Sequence, residues 1–382
     1  MIIASANRLN QTSEYYFSRK LKEVRALAAA GKPIINMGVG SPDLPPPPHV
    51  IKALTSSLVD APAHQYQSYK GLPQLTEAMA DFYQKRYAVT LNPEEEILPL
   101  MGSKEGIMHI SMAFLNPGDE VLIPNPGYPT YTSVTCLVEA EPVYYNLDAS
   151  NNWMPDYSAL EKRDLSKVKL MWVNYPHMPT GAKATTADFE KLVAFAKANK
   201  ILLVNDNPYS FILNENPQSI LSVAGAKEVA IELNSLSKSF NMSGWRVGML
   251  LGAVDYVSTV LTVKSNMDSG MFYGIQKGAA AVLTEGEAWF SGLNEIYEKR
   301  REQVWKLADL LGCTYDKNAA GMFVWAKLPE GAGDAEAFID DILINKSVFI
   351  TPGSIFGSRG AGYIRFSLCV TEDKIKEAIG RF

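Results

Sequence analysis

The chain is expected to be an α/β protein, with a large unit on a mostly parallel seven-stranded sheet and a smaller α+β unit after it. Three observations predict this. Seven short apolar runs recur between residues 97 and 251. Most lack the two-residue alternation of a half-wet strand, as expected for strands buried on both faces. Helix-period segments separate the runs, which is the pattern of a parallel sheet wound with helices. Beyond about residue 270 the order changes to one long helical stretch followed by strands and a helix. The 382 residues also exceed what one hydrophobic core usually holds, so two domains are expected.

In chain order, Ser13 can cap a first helix, with Phe17, Leu21, Val24, Leu27 and Ala28 on one face and Gly31 as its stop. A strand at 34–39 runs into Gly40-Ser-Pro-Asp43, and the prolines Pro45 to Pro48 predict an extended, non-helical linker. Strands are expected at 97–100, 120–123, 142–145, 170–174, 201–205, 230–233 and 247–251, with helices at 71–87, 104–115 and 186–199. The last part predicts helices at 285–311 and 334–345 and strands at 322–328, 348–351 and 363–368. The expected division is a segment 1–45 completing the small domain, a large domain 46–270 and a small domain 271–382.

Composition narrows the function. With 47% hydrophobic and 20% charged residues there is no room for large disordered tracts. A net charge of -5 argues against nucleic acid or an anionic membrane as a main partner. Three scattered cysteines and four histidines without ligand spacing predict neither a disulfide framework nor a metal site. The start shows no basic region followed by an apolar core, and no apolar run approaches the roughly 18 residues of a membrane span. A cytoplasmic protein is expected.

The run from Ser235 to Arg246, Ser-Leu-Ser-Lys-Ser-Phe-Asn-Met-Ser-Gly-Trp-Arg, carries the most chemistry. Lys238 follows an apolar strand among small polar residues, with apolar residues 247–251 beyond. A lone strand-end lysine is usually a solvated charge, but these neighbours suit an amine held in a pocket. Such an amine can form a Schiff base with a carbonyl cofactor once burial or nearby cations lower its pKa from about 10.4. Gly102-Ser103-Lys104-Glu-Gly106 follows a strand and opens a helix, where free N–H groups and the helix dipole suit a phosphate. Alone that is a weak signal. Strand 201–205 ends in Asp206-Asn-Pro-Tyr209, and a strand-end acid is as often a turn former as a functional group.

These motifs, in this order, resemble the class I/II aminotransferases of the pyridoxal-phosphate (PLP) fold type I, from Tyr15 to Arg365. The resemblance implies that Lys238 is the Schiff-base lysine, that Ser103, Lys104, Ser235 and Arg246 form the phosphate cup, and that Asp206 pairs with the pyridine nitrogen. It also implies that Tyr209 bonds the ring hydroxyl and that Tyr128, in Asn125-Pro-Gly-Tyr128-Pro-Thr-Tyr131, stacks on the ring. His64-Gln-Tyr66-Gln-Ser-Tyr-Lys-Gly71 resembles the segment giving a tyrosine to the neighbouring subunit's phosphate, which implies a homodimer with shared sites. One departure is plain. In Asn174-Tyr-Pro-His-Met178-Pro-Thr-Gly181 a methionine stands at the family's asparagine, which leaves Asn174 to reach the ring.

On the substrate side the resemblance places Arg365 against the α-carboxylate, a bidentate task that lysine performs poorly. It places Gly40 against the same carboxylate and Tyr15 facing the substrate, with Tyr16 as the competing position. The second arginine of dicarboxylate-specific members is missing from 260–270, where Lys264 is the poorer substitute. The implied function is a ping-pong aminotransferase acting on an amino acid and a 2-oxo acid. A C–S lyase on the same scaffold is the alternative. A PLP-sensing regulator is a third, with no residues left over for a DNA-binding domain.

Overall fold

The computed structural model describes residues 3–11 and 16–382. Ser13 and Tyr15 lie outside the described residues, and the first helix runs Tyr16–Ala29. Among the described residues the strands are β1 (Ile35–Asn36), β2 (Ile97–Leu100), β3 (Glu120–Asn125), β4 (Glu141–Asn146), β5 (Val168–Val173), β6 (Leu202–Asp206) and β7 (Ala230–Ser235). They continue with β8 (Gly248–Gly252), β9 (Thr314–Tyr315), β10 (Phe323–Lys327), β11 (Val348–Phe349), β12 (Thr351–Pro352) and β13 (Tyr363–Ser367).

Seven of them form the central sheet in the order β2-β8-β7-β6-β5-β3-β4. All its neighbours are parallel except β8, which is antiparallel to both β2 and β7. Successive residues of one strand enter different cores: Leu203 packs in one cluster, Leu202 and Val204 in the other. That is why these strands read as unbroken apolar runs, with each buried side chain stabilising the fold by about 1.5–3 kcal/mol. Helices Pro73–Tyr87 and Thr186–Asn199 send Leu75, Met79, Phe189 and Leu192 into the first core, while Ser103–Phe114 sends Ile107 and Ile110 into the second. A capping box between Thr185 and Asp188 starts the helix Thr186–Asn199.

A third core joins the four-stranded sheet β12-β13-β10-β9 to the long helix Glu287–Leu310. The N-terminal segment reaches the same region, since β1 pairs in parallel with β11.

Expectations near the N-terminal segment need correction. The strand expected at 34–39 shrinks to Ile35–Asn36. From Gly38 on its backbone leaves the ladder: the Gly38 carbonyl accepts from Thr351 Oγ1 at 3.0 Å and from Arg365 at 2.8 Å. The proline run does not exclude a helix either, because Pro48 begins the helix Pro48–Ser57. Its first position needs no N–H, and the proline φ already suits it.

Candidate active site

Ligands of such sheets gather at the carboxyl ends of the parallel strands. Here those ends carry Ser103 and Lys104 after β2, Tyr128 after β3, Asn174 after β5, Asp206 closing β6, and Ser235 and Lys238 at and after β7. Because β8 runs the other way, its start lies at this same end, and Arg246 enters just before it. All of these, with Tyr209, Gly40 and Arg365, line one cavity of about 350 Å³. Four cationic side chains (Lys104, Lys238, Arg246 and Arg365) face a single carboxylate, Asp206, among its described lining residues.

Gly102, at φ +91°, precedes the helix Ser103–Phe114, and no side chain caps that helix. Its first N–H groups are therefore not claimed by a cap, as an anion site requires. The Arg246 guanidinium fills the space a side chain at Gly102 would need: a Cβ there would lie 2.2 Å from Nη2. Arg246 itself adopts φ +56° and donates from Nη1 to the Ser243 carbonyl at 2.9 Å. Burial, then the charge of Arg246, pushes the Lys104 ammonium below its ordinary pKa. Ser235 caps the short helix Leu236–Ser239 by accepting from the Ser237 N–H at 3.0 Å, and its hydroxyl donates to Ser237 Oγ at 2.7 Å.

Lys238 Nζ donates to the Gly40 carbonyl at 2.6 Å. Gly40 thus meets the lysine through its carbonyl, and the Phe323 ring stands where a Cβ at Gly40 would go. Burial lowers the Lys238 pKa; Arg365 and Arg246 push the same way, while Cys369 and Asp206 oppose them. An amine so placed gives up its proton more readily than a surface lysine.

Asp206 accepts from the Tyr131 hydroxyl at 2.9 Å on Oδ2, while its buried Oδ1 has no hydrogen-bond partner among the described residues. Burial pushes the carboxyl up to about 6, against the Tyr131 hydrogen bond and the Lys238 charge. A pyridine N–H is a donor that would satisfy Oδ1, and with the Lys238 amine and the cationic cup the residues present fit PLP. Tyr209 is held edge-on to Phe323, ring centroids 5.9 Å apart, and burial raises its hydroxyl pKa far above the ordinary value.

The Asn174 side chain lines the cavity, but both ends of its amide are engaged. Nδ2 donates to the Asp206 carbonyl, and Oδ1 accepts from the Met178 N–H at 2.8 Å. The Met178 sulfur lies 3.3 Å from Arg365 Nη1. The Arg365 guanidinium is buried between the rings of Phe323 at 3.9 Å and Phe356 at 4.7 Å.

Tyr66 is not brought to this cavity; it is 92% exposed. Tyr15 lies outside the described residues. Lys264 is not presented for a substrate carboxylate, because it is 2% exposed and paired with Asp268 at 2.9 Å. Sequence reasoning missed Tyr131 as the partner of Asp206. Its i+3 spacing from Tyr128, across a helix starting at Pro129, was the available signal. It also missed Phe323 and Phe356, whose roles arise only from how β10 and the turn at Gly353–Phe356 pack around Arg365.

The sequence model of the family "Aminotransferase class I and II" matches residues 32–382. The chain is 39% identical over 378 residues to the LL-diaminopimelate aminotransferase of Dehalococcoides mccartyi, covering 98% of this chain and 97% of the relative. It is 41% identical over 377 residues to the enzyme of that name from Natranaerobius thermophilus, with the same coverage. Among solved structures, apo-BacF of Bacillus subtilis superposes with a TM-score of 0.94 at 36% identity, covering 100% of this chain and 98% of that one. These full-length relatives are named as transaminases, which sets the lyase alternative aside. The chain belongs to the class I and II aminotransferases, PLP-dependent enzymes of fold type I.

Proposed function

We propose that this aminotransferase takes LL-diaminopimelate as its amino donor and builds each site from two copies of the chain. The observation that carries the chemistry is the convergence of Lys238, the open oxygen of Asp206 and the Arg365 guanidinium on one cavity. PLP, when bound, supplies the electron sink for charge left on the substrate's Cα. Lys238 is the residue to hold the cofactor covalently and, once released, to carry a proton to and from Cα. Ser103, Lys104, Ser235 and Arg246 would hold the phosphate, Asp206 would keep the ring nitrogen protonated, and Tyr209 and Tyr128 would hold the ring, Tyr209 through its hydroxyl and Tyr128 through its face. The surplus of cationic side chains suits a phosphate together with an α-carboxylate on Arg365.

The substrate reading is supported by the two relatives of that name at about 40% identity. A second reading, a large neutral or aromatic donor, is favoured by Leu21, Val39 and Phe323 on the cavity wall. A donor panel read by single-turnover spectral change separates the two. Rapid conversion with LL-diaminopimelate and slow conversion with phenylalanine or leucine is expected, and the reverse order overturns the substrate. In steady-state turnover Arg365→Lys is expected to raise KM at least about tenfold, since a point charge replaces a fork. Borohydride reduction followed by peptide mapping is expected to place the pyridoxyl group on Lys238; any other position ends the assignment.

The homodimer is supported by exposed Val59, Tyr66, Met267 and Phe272. They lie in two adjoining segments: Tyr273 hydrogen-bonds Asp60 at 3.0 Å, and Gly270 packs against the Gln67 and Ser68 backbone. No helix among the described residues is long and apolar enough to cross a membrane. Three buried free cysteines suit the reducing cytoplasm where we place the enzyme.

A further inference from the structure

Behind Asp206 lies a carboxylate that the catalytic reading does not use. Glu232, in the middle of β7, is 0% exposed. Its Oε1 accepts from the Tyr83 hydroxyl at 2.8 Å, the Ser219 hydroxyl at 2.9 Å and Asn207 Nδ2 at 3.4 Å. Its Oε2 accepts from Asn205 Nδ2 and from the Ile220 N–H, both at 3.0 Å. None of these five partners is a cation. A buried carboxyl is costly to keep unless donors surround it, and here they do.

The donors are not scattered. Asn205 and Asn207 are the residues on either side of Asp206. Asn205 also accepts from the Tyr175 N–H at 3.2 Å, beside Asn174, whose own amide donates to the Asp206 carbonyl. The Tyr83 hydroxyl accepts from Asn234 Nδ2 at 2.9 Å, and Asn234 accepts from the Ser235 N–H at 2.7 Å. Through these links one buried side chain reaches the ends of β5, β6 and β7, which carry Asn174, Asp206 and the Ser235–Lys238 turn.

We propose that Glu232 is a positioning residue for the reaction, fixing the turn that aims Asp206 at the cofactor ring and holding it in register with the lysine turn. The proposal rests on the reading of Asp206 given above. Its physical basis is the fixed sense of the hydrogen bonds. The N–H groups of Asn205, Asn207 and Ile220 donate and cannot accept, so each needs an oxygen opposite it. A glutamine has the same shape but supplies only one. With its NH2 at Oε2 it opposes both Asn205 and Ile220. At Oε1 the two hydroxyls can rotate to accept, and Asn207 must move or turn over, losing its 3.0 Å bond to the Gln218 carbonyl. Glu232→Gln therefore disturbs the Asp206 turn with little change of volume.

The test compares three variants of the PLP-loaded enzyme. Glu232→Gln perturbs the hub, Asn207→Ala cuts the arm to the Asp206 turn, and Ser219→Ala removes a hydroxyl whose other side-chain hydrogen bond is to the Leu221 N–H and not to that turn. The readouts are the pH midpoint of the bound cofactor's visible absorption band, kcat and KM for the donor, and thermal unfolding. Glu232→Gln and Asn207→Ala are expected to shift the midpoint and lower kcat roughly 10- to 100-fold, the scale of a misplacement near 1 Å, with KM changed much less. Ser219→Ala is expected to lower the melting temperature while leaving midpoint and kcat near wild type. Folded, cofactor-loaded Glu232→Gln and Asn207→Ala with wild-type midpoint and kcat overturn the proposal. So does a Ser219→Ala that moves them as far as Asn207→Ala, which would make the effect general loosening. If Glu232→Gln does not fold, the Asn207 and Ser219 pair decides alone. Asp206→Asn separates the two levels: near-normal turnover there sinks the reading of Asp206 itself, whereas a crippled Asp206→Asn beside an unaffected Asn207→Ala sinks only the role of Glu232.

Discussion

Asp206 can be interrogated without turnover, because its protonation is linked to folding. Its carboxyl moves from the ordinary 3.8 to about 6 in the folded chain, chiefly through burial. An acid whose pKa is raised by folding favours the protonated form. Its contribution to stability is complete below the ordinary carboxylate value and is lost as pH rises through the folded one. That rise corresponds to roughly 3 kcal/mol. Cofactor-free wild type is therefore expected to lose about this much stability between pH 4 and pH 7 relative to Asp206→Asn, measured by urea unfolding at both ends. A pyridinium on Oδ1 stabilises the ionised form, so the same comparison on loaded protein should flatten or invert. Equal pH slopes for the two cofactor-free proteins would show an Asp206 that titrates as a surface acid.

The phosphate cup depends on the meeting of two elements, the start of the helix Ser103–Phe114 and the turn before β8. Gly248, the first residue of β8, lies so close that a Cβ there would sit 2.6 Å from the Ser103 N–H. Gly102→Ala both strains a position at φ +91° and pushes on Arg246 Nη2. Loss of one charge-assisted contact, about 1.5–3 kcal/mol, should weaken PLP binding roughly 10- to 100-fold in a fluorescence titration of cofactor-free protein. Unchanged affinity would remove Arg246 from the cup. The elements that build this cup were readable in advance. Most of the seven central strands are buried on both faces, the edge strand β4 excepted, and their ends fall within about two residues of the expected positions. The helix expected at 186–199 matches Thr186–Asn199 end to end, and a capping box between Thr185 and Asp188 fixes its start. Among the helices not expected were Pro48–Ser57, Pro129–Leu137, Val254–Lys264, Tyr273–Val282 and Glu372–Ile379. Pro48–Ser57 and Pro129–Leu137 each begin at a proline, and Val254–Lys264 carries apolar residues on too many sides for a clear helical stripe. The expected strand at 348–351 is broken at Ile350, where the chain passes from β11 in one sheet to β12 in another. Phe323, Phe356 and Glu232 were illegible for a different reason. Each acquires its part only from residues far away in the chain, and nothing in the local pattern around Glu232 separates it from a strand-interior exception.

At the scale of the whole molecule, Tyr66 is the residue that a single chain leaves unexplained. A tyrosine 92% exposed, outside its own chain's cavity, is an expensive place for a ring unless another surface covers it. Its neighbours Val59, Met267 and Phe272 extend the same exposed apolar region. If a second copy covers this region, Tyr66 can reach the partner's phosphate site, and the position of damage then decides whether mixed dimers work. Lys238→Ala chains and Tyr66→Ala chains should each be impaired alone. In a mixed dimer with crossed tyrosines, one site receives both lesions and the other receives neither. About half of the protein in a statistical mixture is mixed dimer, so activity should return to roughly a quarter of wild type. If Tyr66 served its own chain, the same mixed dimers would hold two sites with one lesion each, and mixing would restore nothing. Differently tagged chains, co-purified to prove that mixed dimers formed, make a null result decisive. A protein that sediments as an active monomer would remove the premise altogether.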